Sequence, residues 1–477
     1  MSQTCTLHLL HTNDIHSRFE KMAQVASCLL EKRQLWESRG EYVLTVDIGD
    51  HTDRMRMKTE ATWGQANIKV LNQSGYQYVT IGNNEGITFP KEVLDRLYDQ
   101  AEFTVILSNL LDHEQNQLPK WAVPYAIHTC NDLRVALLGV TVPFASFYEQ
   151  LGWVAKDPIP ILREQVNQLR SQVDVIVVLS HLGYPADKKV AEQIEGIDVI
   201  LGAHTHRLLL EGERVNQTWI AQVGMLGEYV GHVSLTIGKD QQGCKLTGFV
   251  EAFPTSEFAP DPRVAQLIEA EQAAADQILS EVVTELPQDL AIDWEQETAF
   301  GSFLAASIRQ WTQAEVGLAN GGLLLHSLSQ GKITRKDLLE CLPHPINPCV
   351  VQISGQELWQ VLEMSLQPDI IHKEIRGFGF RGKMMGWMGI DNVQVYYQDS
   401  NHPVIERIEV GTEELDLARM YRIGTVDMYV FNRMFPQISD SHEHSFFLPE
   451  VLREVLAQTI SNHERIRLSE TRRWIRV

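Results

Sequence analysis

Long apolar runs are absent from these 477 residues. None approaches the roughly 20 residues that a bilayer-spanning helix needs. The opening MSQTCTLHLLHT has no basic stretch leading into an apolar core, so no secretory signal is expected. Cysteine is sparse too. The six (Cys5, Cys28, Cys130, Cys244, Cys341 and Cys349) form no CxxC pair and no closely spaced even set. They argue against a disulfide framework and read as reduced thiols in apolar settings, so a reducing, cytoplasmic location is expected. Positive charge is in deficit: 41 Lys and Arg face 62 Asp and Glu, a net charge of -21. That argues against a nucleic-acid surface and against binding to an anionic membrane. An anionic small substrate stays open, because a bound metal dominates the field around it. No repeat of solenoid period and no low-complexity tract is present.

What is present is ordinary for a soluble globular protein, 44% hydrophobic and 22% charged, and long enough for two or three domains with cores of their own. The N-terminal half alternates apolar strands with helical patterns. Strands are expected over Leu7–Leu10, Tyr42–Val46, from Tyr76, over Phe103–Leu107, as a pair within Trp121–Val140 about Asn131-Asp132, and over Val173–Leu179, Ile197–Leu201, Thr218–Val223 and His232–Ile237. Helices are expected over Phe19–Trp36, within Thr62–Asn72, and over Pro90–Tyr98 and Leu162–Leu169. This alternation predicts an α/β core with its site at the carboxyl ends of the strands. A loop with three prolines, Pro254–Pro262, and an Ala- and Glu-rich helix, Arg263–Val282, read as a connector. The second half mixes helices near Ser302–Thr312 and Gln356–Leu366 with short strands such as Val393–Tyr397 and Val404–Val410. The basic Arg465–Arg476 reads as a solvated end. The domain limits drawn are 1–253, a connector at 254–285, and 286–477.

Five of the expected strands end in groups that bind metals: Asp14 and His16, Asp50, Asn83, His181, and His204 with His206. On an extended stretch residues two apart point the same way, so Asp14 and His16 can share one centre. Carboxylate, imidazole and carboxamide together suit Mn, Zn, Fe or Co rather than a thiolate zinc or an all-oxygen calcium site. Asp50 is placed to bridge two such ions. A pair of ions about 3.5–4 Å apart stabilises the attacking and leaving oxygens of a displacement at phosphorus.

With HTNDIH, DIGD, GNNE, SHLG and GAHTH in that order, the chain resembles the calcineurin-like dinuclear metallophosphatases, and specifically the bifunctional 5′-nucleotidase / UDP-sugar hydrolase family. GSFLAASIRQW, LANGG, GKITRKDLLECLP and ISGQELWQVLE resemble that family's C-terminal nucleotide-binding domain. The resemblance implies a four-layer α/β/β/α sandwich followed by a second α/β substrate-binding domain. It also implies two divalent ions, one held by Asp14, His16, Asp50 and His206 and the other by Asp50, Asn83, His181 and His204. Asn13 is expected to orient its loop. His11 is expected to be structural or to stand behind the ligands.

Three departures from the family pattern matter. The family's Gly-Asn-His-Glu carries a His, supported by an Asp three residues on, that assists at the leaving group. Here these positions are Asn84 and Ile87. Asn donates a hydrogen bond but does not shuttle a proton, and such acid-base help is worth roughly 10²–10⁴-fold. His51 and Asp53 are candidates to replace it, against the plainer reading of both as a structural loop. The motif from Asn320 ends in Leu325 where the family has a substrate-binding Arg. Arg376 and Arg381 are the possible replacements. A two-ring base clamp is expected from Phe378 or Phe380 with Phe431 or Phe435, each of which could equally be core.

The favoured activity is hydrolysis of a phosphomonoester, most plausibly a nucleotide, with a small-molecule organic phosphate as the only expected partner. A diesterase or pyrophosphatase acting on cyclic nucleotides, UDP-sugars or dinucleotides shares the same ligands. A metal-holding nucleotide-binding protein with little turnover is the rival of a different class. Buried ligands are costly polar groups with little reason to persist without chemistry, which weighs against it. The oligomeric state is left open by the sequence.

Overall fold

Residues 175–179 are apolar without a break, and the fold buries both faces of the strand they form, Val175–His181. The computed structural model describes residues 3–240, 243–377, 379–400, 402–441 and 443–477. Val175, Val177 and Leu179 join Leu7, Leu9, Leu44 and Val46 in a core between two sheets. Ile176 and Val178 join Leu162, Val166, Leu169 and Val190 of the covering helices. A strand covered on both faces has no polar side, which is why its sequence does not alternate.

The chain divides into two compact units, residues 1–275 and 276–477. In the first, a seven-stranded sheet runs in the order Gly243–Pro254, Tyr229–Asp240, Gln3–Thr12, Tyr42–Asp47, Tyr78–Val79, Thr104–Ile106, Ala122–Val123. A six-stranded sheet runs Glu213–Val215, Thr218–Ala221, Val199–Gly202, Val175–His181, Leu133–Thr141, Tyr125–Cys130. The helix Phe19–Glu37 covers the outer face of the first sheet, where Trp36 stacks on His8. The helices Pro158–Leu169 and Tyr184–Gln193 cover the second. The layers are therefore α/β/β/α. Register brings the strand ends level: Thr12 pairs with Asp47, Asp47 with Val79, and Ser180 with Gly202.

The second unit is also α/β. Its larger sheet runs Met388–Asp391, Val316–Asn320, Met420–Val426, Pro348–Ser354, His444–Phe446, and its four-stranded sheet runs Glu413–Glu414, Val404–Val410, Val393–Gln398, Trp474–Arg476. The helix Ala299–Trp311 starts at Thr298, whose hydroxyl accepts from the Gly301 amide. The helix Gly355–Ser365 starts at a reciprocal Ser354/Glu357 capping box.

Several expectations shift. The helix expected within Thr62–Asn72 is two, Met57–Thr62 and Gln65–Ser74, divided at Trp63 and Gly64, both of positive φ. The strand expected from Tyr76 is only Tyr78–Val79. The connector helix is Pro262–Leu279, and the division between the units falls inside it. Val282, expected as its last residue, instead begins the strand Val282–Leu286, whose β-branched start pairs with Gly331–Thr334. The basic end is not simply solvated. It forms the helix His463–Leu468 and the strand Trp474–Arg476, with Arg473 and Trp474 buried. Among the described residues no helix is long and apolar enough to cross a membrane.

Candidate metal centre

The N-terminal unit gathers its predicted ligands at one end of the sandwich. Asp14, His16 and His206 bring ligand atoms within 4.8 Å of one another, and so do Asp50, His181 and His204. Short distances join the two sets. Nε2 of His181 lies 3.5 Å from Oδ1 of Asp50 and 3.9 Å from Oδ1 of Asp14, and Nε2 of His16 lies 3.9 Å from each of Asp14 and Asp50. Nε2 of His206 is 3.5 Å from Oδ1 of Asp14 and 3.2 Å from Nε2 of His16.

The backbone is bent to reach this arrangement. Asp14 (φ 51°), His16 (47°), Asp50 (49°), His204 (70°) and His206 (54°) all occupy the left-handed region. Each such residue costs about 1–3 kcal/mol and persists where its surroundings over-determine it. The surroundings are hydrogen bonds between the strand-end loops. Asp14 N donates to Gly49 O, His16 N to Asp50 O and Ser17 N to His51 O, at 2.8–3.0 Å. Gly49 and Gly82 let two loops touch: a Cβ on Gly49 would stand 2.3 Å from Gly82 N, and one on Gly82 would stand 2.1 Å from Oδ1 of Asp50.

The groups behind the ligands are fixed in turn. Glu85 is buried and accepts from Asp50 N, Gly82 N, Thr52 N and the Thr52 hydroxyl at 2.7–2.9 Å. In the sequence Glu85 is only the last letter of GNNE, and a buried Glu facing four donors is not visible in spacing. Asn13 orients its loop as expected, donating to Asp14 Oδ2 at 2.8 Å and to Gly224 O at 2.7 Å and accepting from Val223 N. His181 presents Nε2 because its Nδ1 lies 2.6 Å from Ile48 O. His11 is fully buried against Gly231, and burial pushes its pKa down to about 3.

The donor set fits a cation. Nε2 of His181 and Oδ1 of Asn83 are buried without a hydrogen-bond partner. Burial works against ionising Asp50, but His181 and His16 outweigh it and hold that carboxyl well below its usual range. Burial also opposes charge on His181, yet Asp50 and Asp14 lift its pKa to about 10. The two carboxylates thus draw positive charge into the centre, a demand that divalent ions meet.

The candidate replacements for the missing acid lie close by. Asn84 is buried, with Nδ2 2.9 Å from Nδ1 of His16 and 3.0 Å from Thr52 O. Asp53 is buried with Oδ2 3.7 Å from Nδ1 of His16. His51 is buried too, its Nδ1 3.8 Å from Oδ2 of Asp47.

In the C-terminal unit, the expected substrate contacts separate into core and surface. Asn320 is fully buried, donating to Met385 O and accepting from the Tyr429 hydroxyl, which commits its side chain to holding the fold. Phe435 is fully buried edge-on against Tyr429, with no ring face left for a base. Phe380 is buried and stacks on His344 at 5.2 Å with the rings 2° from parallel. The amide of Arg381 donates to Nδ1 of the same His344. Arg376 is exposed beside Glu374. Phe431 is 38% exposed and stacks on Phe446. Phe378 lies outside the described residues.

Carboxylates, imidazoles and a carboxamide at the strand ends of an α/β/β/α sandwich define a metallophosphoesterase centre. Comparison with known proteins agrees. The calcineurin-like phosphoesterase family model matches residues 7–208, and that of the 5'-nucleotidase C-terminal domain matches residues 279–433. The uncharacterized metallophosphoesterase YunD of Bacillus subtilis (strain 168) is 39% identical over 457 residues, which cover 94% of this chain and 98% of that one. A 5'-nucleotidase of Vibrio cholerae is 23% identical over 423 residues, 76% of each chain. The solved structure of Haemophilus influenzae NAD nucleotidase shares the fold, with a TM-score of 0.68 at 16% identity over 99% of this chain and 98% of that one. The chain belongs to the calcineurin-like metallophosphoesterases that carry a 5'-nucleotidase C-terminal domain. It is a metal-dependent phosphoric ester hydrolase of the 5'-nucleotidase type.

Proposed function

We propose that this protein hydrolyses a nucleotide phosphomonoester with two divalent ions, drawn from Mn, Zn, Fe or Co. Asp14, His16, Asp50 and His206 would hold one ion, and Asp50, Asn83, His181 and His204 the other. The observation that carries the reading is the convergence of two carboxylates and four imidazoles, with the Asp50 carboxylate facing both His16 and His181. Bound ions supply Lewis-acid polarisation of the phosphoryl group and a lowered pKa for water. The chain's own part is to fix that geometry in advance, through Glu85 on the Asp50 amide, Asn13 on Asp14 and the Ile48 carbonyl on His181. Selection of the organic group is assigned to the C-terminal unit, with Phe431 the ring that exposure favours. A reducing compartment is the proposed location, in keeping with the free thiols of Cys28, Cys130, Cys341 and Cys349.

One observation favours a second reading, a pyrophosphatase acting on nucleotide sugars or dinucleotides. The buried carboxamide of Asn84 is committed to Thr52 and His16 and gives a leaving alcohol no proton, so leaving groups that depart as stable anions are favoured. Purified protein assayed with Mn²⁺ against nucleoside monophosphates, cyclic nucleotides, nucleotide sugars and dinucleotides decides between them. Turnover of monophosphates above the rest supports the first reading. Turnover confined to nucleotide sugars or dinucleotides replaces it with the second, and turnover of cyclic nucleotides alone or of none of them overturns both.

A further inference from the structure

His16 is held at both ends of its ring. Nε2 faces the carboxylates of Asp14 and Asp50, while Nδ1 faces Asn84 at 2.9 Å and Asp53 at 3.7 Å. A histidine that gives Nε2 to a metal carries its remaining proton on Nδ1, and that proton needs an acceptor to fix the ring and raise its basicity. Both neighbours can serve. Asp53 is a buried carboxylate, anchored through its amide to the Ser17 hydroxyl at 2.7 Å and through Oδ1 to Met55 N at 3.0 Å, with Oδ2 3.7 Å from the imidazole. Asn84 brings its carboxamide to the same nitrogen at 2.9 Å, and a half-turn of the terminal torsion, which gives up its bond to Thr52 O, turns its oxygen toward that N–H.

Asn84 reaches more than one ligand. Its amide donates to Oδ1 of Asp50 at 2.7 Å, its carboxamide lies 3.3 Å from Nδ2 of Asn83, and its carbonyl accepts from the Thr88 hydroxyl at 2.5 Å. Three residues of the proposed ligand set therefore rest on this one residue. Its side chain is turned to the protein, so its reach is toward ligands rather than substrate.

We propose that Asn84 and Asp53 are positioning residues that act through His16, fixing its ring so that Nε2 is presented to the metal. The position where the resemblance expects an acid for the leaving group thus supports the metal site instead. This rests on the metal-site reading of Asp14, His16, Asp50 and His206, and its test reads metal binding without any substrate.

The full-length protein, stripped with chelator, is titrated with Co²⁺ and followed by calorimetry and by the visible absorption of the bound ion. Asp53→Asn and Asn84→Ala are each expected to weaken Co²⁺ binding about 10–100-fold, the usual cost of losing a partner behind a ligand. Stoichiometry at saturation stays that of the parent. Asn84→Asp keeps an acceptor beside Nδ1 and is expected to bind within a few-fold of the parent. Thermal melts of the stripped variants within a few degrees of the parent separate lost positioning from lost folding. If one variant fails to fold, the other carries the test. Parental Co²⁺ affinity in both Asp53→Asn and Asn84→Ala overturns the proposal, as does an Asn84→Asp protein no better than Asn84→Ala. A parent chain that binds no Co²⁺ overturns the underlying metal-site reading instead, and a parent that binds Co²⁺ but hydrolyses no phosphate ester overturns only the activity.

Discussion

Nη2 of Arg473 donates to Oδ1 of Asp391 at 2.9 Å in the interior of the C-terminal unit, while Nε of Arg309 donates to the other oxygen at 2.6 Å. The bond fixes the approach to the last strand, Trp474–Arg476, which pairs in parallel with Val393–Gln398. Removing one partner of a buried ion pair leaves the other charge desolvated, at a cost of about 3–5 kcal/mol. Arg473→Ala and Asp391→Ala should each lower unfolding free energy by about that much in urea titrations, and the double variant should lose less than their sum. Strict additivity would mean that the pair is not coupled.

Asp50 is the proposed ligand whose loss should be felt at both proposed ions. Asp50→Asn keeps the shape but removes the charge that His16 and His181 face. The variant should lose at least one of the two proposed ions by elemental analysis, and its hydrolysis of p-nitrophenyl phosphate should fall by more than about 100-fold, the upper end of what changes behind a ligand cost. The parent should bind metal more weakly as pH falls. His181, lifted to about 10 by Asp50 and Asp14, must give up its proton to a metal, so lower pH favours the competitor. Affinity that does not change between pH 8 and pH 6 would contradict this.

The buried carboxyl of Asp427 gives the C-terminal unit a pH dependence of definite sign. Burial pushes its pKa from 3.8 up to about 7, against the hydrogen bonds it accepts from the Asn347 and Met428 amides. Between those values the native state holds a proton that the unfolded chain has released, so stability falls as pH rises from about 4 to about 7 and levels beyond. The steepest slope is about 1.4 kcal/mol per pH unit. Asp427→Asn should remove this contribution, so urea unfolding of the parent and the variant should diverge across that window. Parallel curves would show that Asp427 ionises freely in the native state.

The candidate ligands were legible because each one follows an apolar strand, and the parallel register that brings Thr12 level with Asp47 and Ser180 level with Gly202 is implied by the βα alternation. Glu85 was not legible, because its role comes from four donors converging from two loops. Nor was the task of Asn84, which spacing marks only as a departure from a motif. The phenylalanines show a different limit. Composition and motif place Phe380, Phe431 and Phe435 alike, and only packing distinguishes a ring buried on His344 or Tyr429 from one that is 38% exposed. The connector misled for a simple reason: the helical pattern runs to Leu279, and the β-branched Val282 and Val283 that follow are apolar enough to extend it on paper.

Those three phenylalanines yield the last prediction. Two ions at phosphorus are indifferent to the rest of the ester, so any preference for a nucleotide must come from contacts with its base or ribose. A base stacked on an aromatic ring gains about 1–3 kcal/mol, roughly a tenfold to hundredfold preference. Phe431, 38% exposed and already paired with Phe446 at 5.3 Å, has ring surface to offer. Phe380 and Phe435 do not, and truncating either opens a cavity costing about 3–5 kcal/mol of stability. Phe431→Ala should therefore raise KM for a nucleoside monophosphate about tenfold or more, with p-nitrophenyl phosphate hydrolysis and melting temperature near those of the parent. Phe435→Ala should lower the melting temperature and depress both activities together. Equal loss on both substrates in Phe431→Ala would make that ring structural. An unchanged KM in that variant would place base recognition elsewhere in the C-terminal unit.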